Sequence, residues 1–270
     1  MVEQSFRPRE GRDKPQGPFE GVLDHLREPL LRWTHEALTY QPAISMDVQL
    51  LERALIAARV VAPTVSVGTA RNLLAEMSVR KQEDFLDLIH VLLQMRRGGP
   101  NNLAKMLEAG GSVWTVRGNG LVRRVDPGVQ QAFDQATRNR DNASAELDQA
   151  WREVYGRDAD ASDAWEHAIK AVEAALIPLV VPNVDKPTLG HVLGQLDGLN
   201  RPLWKLGIRG PDGNHSIEPL ISMLRLLWPN PDRHGHPDRR QTPSLEEARG
   251  VVHLAVTIVQ WARDGQIVRR

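Results

Sequence analysis

The segment WPNPDRHGHPDRRQT, which begins at residue 228, carries the side chains of this sequence best suited to acid–base chemistry. His234 and His236 titrate near neutral pH, so either imidazole can take a proton from a hydroxyl or return one to a leaving oxygen. Arg233, Arg239 and Arg240 can bind a phosphate and stabilise negative charge in a transition state. This combination suits cleavage of RNA through attack by the ribose 2′-hydroxyl.

The same part of the sequence is locally basic. Residues 201–240 contain seven Lys and Arg but four Asp and Glu, in a chain whose formal net charge is +0. Any contact with RNA would therefore come from this patch and not from the charge of the whole molecule. The predicted RNA-binding residues are Arg225, His236, Arg239 and Arg240.

Two other interpretations of this segment stay open at the level of sequence. His234 and His236, two residues apart, could hold a metal ion from an extended loop. That spacing is a weak signal by itself, the chain has no cysteine, and no third cluster of ligands lies nearby. We therefore expect no metal and no cofactor. The remaining alternative is a solvated loop between helices, in which Pro and Gly only make the turn.

Glu173 is the carboxylate that could support such a site from another helix. It lies at the edge of the apolar face of its predicted helix, next to Val172 and three residues before Leu176. A buried carboxylate there would need a partner. The alternative is a flanking glutamate paired with Lys170, three residues earlier.

The elements that must position these residues are mainly helices. Apolar side chains recur at three- and four-residue spacing, and the ends carry capping or helix-breaking residues. Helices are predicted over 23–38, 47–61, 82–95, 128–155 and 216–227. Two more are predicted: one that Ser162 caps and Pro178 ends, and a last one that begins near Pro243 and that Gly265 closes.

One segment interrupts this helical pattern. Residues 113–125, VWTVRGNGLVRRV, place β-branched and aromatic side chains on both sides of Gly118-Asn119-Gly120. Asn-Gly is a favoured pair for a tight hairpin turn, since both central residues need positive φ. The sequence therefore predicts a short β-hairpin here.

The fold class that follows is mainly α. Residues 1–20, which are polar and rich in Pro and Gly, are predicted to form a flexible arm. Residues 21–126 are predicted to form an N-terminal helical domain that ends in the β-hairpin. Residues 127–270 are predicted to form a C-terminal helical bundle.

Composition narrows the class of protein. The hydrophobic fraction is 41% and the charged fraction 25%, both ordinary for a soluble globular protein. No apolar run approaches the ~18 residues that a membrane span needs. The first residues lack the hydrophobic segment of a secretory signal. We expect a cytoplasmic protein that does not associate with a membrane.

Several segments together resemble a known family. YGRDADASDAWEHAIKAVEAALIPLVVP, KPTLGHVLGQL, PNPDRHGHP and SLEEARGVVHLAVTIVQW look like the C-terminal domain of abortive-infection proteins, which belong to the HEPN superfamily of helical bundles. The resemblance covers about residues 145–265. Proteins of this kind are common in bacteria, prophages and phages, including those of actinobacteria.

The resemblance implies a metal-independent ribonuclease that works as a homodimer. The family signature is Arg, a polar residue, three variable residues and His, and here Asn230 and His234 match its second and last positions. Pro229 stands where the Arg is expected, so Arg233 or Arg225 would have to replace it. His236 is a second candidate for the functional imidazole, and Glu173 matches the supporting acidic residue.

Two hypotheses follow for the function. In the first, the protein is a phage-defence or phage-exclusion endoribonuclease, with His234 as acid and base, Arg233 on the phosphate, and Asn230 and Glu173 orienting them. In the second, the bundle has lost catalysis and serves to dimerise or to bind a protein partner. The displaced Arg favours the second hypothesis, and the local basic excess favours the first.

Overall fold

The computed structural model describes residues 18–40, 45–228 and 242–270. The fold of these residues is mainly α, as the sequence predicts. They divide into two compact units, Met1–Leu121 and Val122–Arg270. Each unit has its own hydrophobic core of buried side chains. In the part of the chain that is described, no helix is both long and apolar enough to cross a membrane.

The first unit is built from five helices and two short hairpins among its described residues. The helices are α1 (Asp24–Leu38), α2 (Val48–Ala57), α3 (Val67–Arg80), α4 (Gln82–Gln94) and α5 (Pro100–Ala109). The strands are β1 (Thr39–Tyr40), β2 (Ser45–Met46), β3 (Trp114–Arg117) and β4 (Gly120–Arg123). β1 pairs with β2 and β3 pairs with β4. The boundary between the two units falls inside β4, between Leu121 and Val122.

The second unit is a helical bundle with one small sheet. Its helices are α6 (Pro127–Ala136), α7 (Asn142–Tyr155), α8 (Ala161–Val180), α9 (Leu189–Leu196), α10 (Glu218–Leu227) and α11 (Leu245–Arg263), with a 3₁₀ helix at Gly198–Leu203. β5 (Trp204–Leu206) pairs antiparallel with β6 (Ile267–Arg269). The central helices α7, α8 and α11 bury small and branched side chains against one another, among them Ala150, Ala168, Val172, Ala255 and Val259.

Phe19 and Glu20, at the end of the predicted arm, are tied to the first unit. The backbone N–H of Phe19 donates to Gly111 O at 3.0 Å, and Val113 N donates to Phe19 O at 2.9 Å. Trp114 Nε1 donates to Glu20 O at 3.0 Å. These two residues therefore belong to the folded unit and not to a loose arm. Residues 1–17 lie outside the described part of the chain.

The predicted single helix over residues 128–155 is wrong, because the structure has two helices there. α6 ends at Ala136 and α7 begins at Asn142. Asp141 starts the second helix: its side chain accepts a hydrogen bond from Ser144 N at 2.9 Å. Asp is a strong N-cap residue, so the chain restarts a helix at this point although the apolar spacing continues.

The predicted ends of α8 also differ from the structure. Asp160, not Ser162, caps the helix by accepting from the backbone N–H groups of Ser162 and Asp163. Pro178 lies inside the helix, which continues to Val180. Proline removes one backbone hydrogen bond and crowds the preceding turn. The burial of Leu176 and Val180 in the core favours the extra turn.

The hairpin forms where the sequence predicts it, with a different central pair. β3 ends at Arg117 and β4 starts at Gly120, so Gly118 and Asn119 make the turn. Gly118 has a φ of 58°, whereas Asn119 is not among the described residues with positive φ. Glycine at the first central position is the pattern of a type II′ turn, which also suits the twist of paired strands.

Three helices were not predicted. In α3 the buried face consists of Ala70, Leu74, Met77 and Ser78, so the apolar stripe is weak. α5 buries only Leu103 and Leu107, and α9 has eight residues of which two are glycine. Tertiary packing, rather than a strong apolar period, stabilises short helices of this kind.

Candidate functional site

Most of the predicted catalytic and RNA-binding residues lie outside the described part of the chain. They are Asn230, Arg233, His234, His236, Arg239 and Arg240, together with Pro229. Their assigned roles stay predictions. Glu173 and Arg225 are described, as are Trp228 and Thr242, the residues on either side of the segment 229–241.

Helices α8 and α9 hold the chain at the start of this segment. Trp165 Nε1, on α8, donates to Leu227 O at the end of α10 over 2.9 Å. The ring of Trp228 lies against Gly190 of α9, where an added Cβ would be 3.5 Å from Trp228 Nε1. At the other end, Ser244 caps α11 by accepting from Glu247 N at 3.2 Å. The described residues before and after the segment are therefore held by the bundle.

Glu173 is a half-buried residue of α8 that caps α9. Its Oε1 accepts a hydrogen bond from the backbone N–H of Leu189, the first residue of α9, at 2.7 Å. Lys170, the alternative partner, has its Nζ 2.8 Å from Glu166 Oε1. A carboxylate at a helix N-terminus satisfies a backbone donor and meets the positive end of the helix dipole. Glu173 thus has a structural function as a cap of α9.

Arg225 is engaged by carboxylates of its own unit. Its Nη2 forms an ion pair with Asp197, and its Nη1 lies 4.0 Å from Glu218 Oε1. Glu218 is also paired with Arg201. The Arg225 side chain is 55% exposed, so it stays accessible, but its charge is largely balanced. Binding a phosphate there would require competition with Asp197.

The described residues hold a second cluster that sequence reasoning missed, on α7 and α11. Tyr155 Oη and His253 Nε2 are 2.7 Å apart. Arg249, one helical turn before His253, places its guanidinium carbon 5.4 Å from the centroid of the Tyr155 ring. Its Nε donates to Val154 O at 3.3 Å. The sequence shows Arg249 and His253 four residues apart, but no spacing rule connects either to Tyr155.

Burial sets the protonation of this cluster. It lowers the pKa of His253, and the charge of Arg249 lowers it further. Burial also raises the pKa of Tyr155, although Arg249 opposes this. His253 is therefore held neutral, and in the tautomer whose Nε2–H donates to Tyr155 Oη its Nδ1 carries a lone pair and can act as a general base.

The outer side of this cluster is open to solvent. Arg249 and His253 are both only partly buried. No carboxylate of the described residues forms an ion pair with Arg249. The cluster therefore presents a guanidinium and an imidazole nitrogen on one helix face, which can meet a phosphate and a hydroxyl together.

Another histidine joins α7 to α8. His167 Nδ1 lies 2.6 Å from Glu146 Oε2. On the same pair of helices, burial and the neighbouring Asp163 raise the pKa of Glu153, with His167 opposing them. His167 and Glu146 thus join α8 to α7 through their side chains. This pair is best explained as a link between the two helices.

The structure does not bring Glu173 and His253 together. Glu173 lines a groove of about 660 Å³ that also contains Arg263. Arg263 lies ten residues after His253 on α11, a separation of about 15 Å along the helix axis. Among the described residues, no group of three or more His, Asp or Glu side chains is placed to hold a metal ion.

Comparisons with known proteins leave the family open. The chain was compared with models of protein families, with curated proteins and with solved structures, and none of them matches it. The resemblance to the HEPN superfamily therefore stays a prediction from sequence motifs.

Proposed function

We propose that the protein is a metal-independent endoribonuclease of the abortive-infection type, which acts as a homodimer in the cytoplasm. The observation that carries this proposal is the Tyr155–His253–Arg249 cluster, which combines a neutral imidazole with a guanidinium that no described carboxylate neutralises. RNA cleavage without a metal needs a base for the 2′-hydroxyl and a cation for the phosphate.

The cluster is also close in the chain to the basic segment. Arg249 follows the N-cap Ser244 by five residues, which corresponds to about 7.5 Å along α11. The segment 229–241, with Arg233, Arg239 and Arg240, leads into this same helix end. RNA bound at the N-terminal end of α11 would thus lie near Arg249, with His253 one helical turn further along.

The proposed reaction is a transfer within the RNA backbone. The 2′-oxygen attacks the adjacent phosphorus while an imidazole, His234 or His253, takes its proton. The bond from phosphorus to the 5′-oxygen breaks, and that oxygen receives a proton. The products are a 2′,3′-cyclic phosphate and a 5′-hydroxyl. Arg233 or Arg249 binds the phosphate, and Asn230 orients the reacting groups.

The test is cleavage of total RNA in excess EDTA by the full-length protein and by single variants. His234→Ala and Arg233→Ala probe the segment, and His253→Gln and Arg249→Gln probe the cluster. Arg209→Gln removes an exposed charge elsewhere in the second unit and is the matched control. We expect cyclic phosphate ends from the wild type and at least a hundredfold loss in the catalytic histidine variant.

The outcomes separate the two sites. Loss in His234→Ala alone assigns the reaction to the segment, and loss in His253→Gln alone assigns it to the cluster. Tyr155→Phe keeps the aromatic ring and its packing but removes the hydrogen bond to His253. The measurement for this variant is therefore the pH profile of RNA cleavage, which should shift while the protein stays folded. If the wild type does not cleave RNA in any of these conditions, the proposal is refuted.

A second function is favoured by two specific observations. Glu173 caps α9, and Arg225 is paired with Asp197, so both described members of the predicted site have structural partners. This suits a helical bundle that dimerises or binds a protein partner without catalysis. A stable dimer in sedimentation velocity, together with no RNA cleavage, is the result expected from this second function.

A further inference from the structure

The first unit contains a basic cavity for which the sequence suggested no function. It lies between the loop from α4 to α5 and the tip of the β3–β4 hairpin, and its volume is about 460 Å³. The lining includes Arg96, Arg97, Gly98 and Pro100 from the loop and Gly118 and Asn119 from the hairpin. This volume is within the range of cavities that bind small molecules.

The charge of this cavity is positive and is not balanced locally. No acidic residue contributes to its lining. In the part of the chain that is described, neither Arg96 nor Arg97 forms an ion pair with a carboxylate. Arg97 Nε donates to Ala37 O at 3.2 Å, which fixes its side chain while its two Nη groups remain available. Two guanidinium groups without a counter-charge favour an anion.

The loop that carries both arginines is held in one conformation. At the end of α4, Arg96 N donates to Leu93 O and Arg97 N donates to Leu92 O, each at 2.8 Å. Gly98 has a φ of 74°, and a Cβ there would lie 2.4 Å from the ring of Trp33. Trp33 Nε1 donates to Gly99 O at 3.1 Å. The cavity is thus formed before any ligand binds, which lowers the entropic cost of binding.

α5 adds to the positive potential of the site. The helix begins at Pro100, in the wall of the cavity, so the positive end of its dipole faces the same region as the arginines. The two guanidinium groups, and not the helix end, supply most of the charge. A phosphate group can accept hydrogen bonds from a planar guanidinium in a bidentate manner.

We propose that this cavity binds the phosphate of a nucleotide-sized phosphate ester. The proposal concerns the first unit and is independent of the proposed RNA cleavage by residues of the second. The cavity is large enough for more than a bare phosphate ion.

Isothermal titration calorimetry of the full-length protein tests the proposal. The probes are ATP, inorganic phosphate, adenosine and a ten-nucleotide RNA, each at two salt concentrations. The variants are Arg96→Gln and, as matched control, Arg59→Gln. Arg59 is also exposed, also has a φ of 55°, and also follows the end of a helix in the first unit, but it does not line the cavity.

The expected result is binding of ATP that adenosine does not reproduce and that weakens as salt rises. Arg96→Gln should weaken it at least about tenfold, since a charge-assisted hydrogen bond is lost. Arg59→Gln should leave it unchanged. Because both substitutions replace arginine at the same backbone conformation, their melting temperatures should change alike.

Three results would overturn the assignment. One is the absence of heat from both ATP and inorganic phosphate. Another is an equal loss of ATP binding in Arg59→Gln and Arg96→Gln. The third is binding of the RNA alone, with no binding of ATP or phosphate, which would place the ligand among nucleic acids instead.

Discussion

At the residue scale, the surroundings of His253 determine its protonation state. Its Nε2 is held by the Tyr155 hydroxyl, and its pKa is lowered first by burial and then by Arg249. Both effects disfavour the added positive charge. His253 is consequently neutral at physiological pH, which is the state in which it can accept a proton.

Arg249→Gln should therefore raise the pKa of His253 towards its ordinary value of 6.5. The rise should be incomplete, because burial is the larger cause and stays in place. A titration of the His253 ring resonances by NMR measures this directly. Arg209→Gln, which changes a distant exposed charge, should leave the pKa of His253 where it is. An unchanged pKa in Arg249→Gln would contradict the electrostatic explanation.

At the element scale, Glu173 determines how α9 begins beside α8. Its carboxylate accepts from Leu189 N, so one of the unpaired donors of the α9 N-terminus is satisfied by a side chain sixteen residues earlier. The next residue, Gly190, lies against Trp228 at the start of the segment 229–241. The cap thus contributes to the placement of Trp228, the last described residue before that segment.

Glu173→Ala should lower the free energy of unfolding by about 1 kcal/mol, the usual cost of a lost cap. Glu173→Gln keeps an oxygen that can accept the same hydrogen bond and should cost less than half as much. Glu166→Ala, on the same helix, removes the ion pair with Lys170, which contributes about 0.3–0.5 kcal/mol. Urea unfolding compares all three. Equal costs for Glu166→Ala and Glu173→Ala would contradict the capping role.

Glu173→Gln also distinguishes a structural function of the carboxylate from a catalytic one. If Glu173 only caps α9, Glu173→Gln should retain RNA cleavage together with stability. If it also orients the reacting groups by its charge, Glu173→Gln should lose activity while the protein stays folded. Comparing stability and activity in one variant therefore decides which function the carboxylate has.

At the scale of the whole molecule, each unit contains a histidine whose pKa is lowered. In the first unit, burial and Arg71 lower the pKa of His35, with Glu28 opposing them. His35 Nε2 is buried and has no hydrogen-bond partner in the described part of the chain. In the second unit, His253 is shifted in the same direction. The two units should thus respond alike to acid.

The free energy of unfolding should fall as the pH falls through 6.5. Unfolded histidine binds a proton near pH 6.5, while His35 and His253 in the folded protein still resist protonation. The unfolded state then carries more protons, so acid favours it, by up to about 1.4 kcal/mol per pH unit for each histidine. The free energy of unfolding stops falling once the pH is below the pKa that each histidine has in the folded protein.

Urea unfolding at about pH 7.5, 6.5 and 5.5 measures this dependence, since it reports the linked protons. His253→Gln and His35→Gln should each remove part of the slope, and the double variant should remove most of it. His191→Gln is the control, because His191 is an exposed helix-cap residue of α9. A slope that is the same in the double variant and in the wild type would refute the assignment to these two histidines.

The sequence by itself determined the class of fold and the location of most long helices. The reason is that the spacing of apolar side chains, the capping residues and the turn residues are local features, each of which involves only a few neighbouring positions of the chain. α1, α4, α10 and α11 form within a few residues of where these patterns predict them. The patterns were insufficient where a strong cap interrupts a continuous period, as at Asp141, and where a helix is short or weakly apolar, as for α3 and α9.

Only the tertiary structure decided which side chains meet. Tyr155 and His253 are 98 residues apart, Arg97 and Ala37 are 60 apart, and Glu173 and Leu189 are 16 apart. No period or motif links such positions, because the contacts arise when separate helices pack. The sequence indicated basic and imidazole chemistry near α11. The packing of α7 against α11 added the phenol and the buried surroundings that set the protonation of that imidazole.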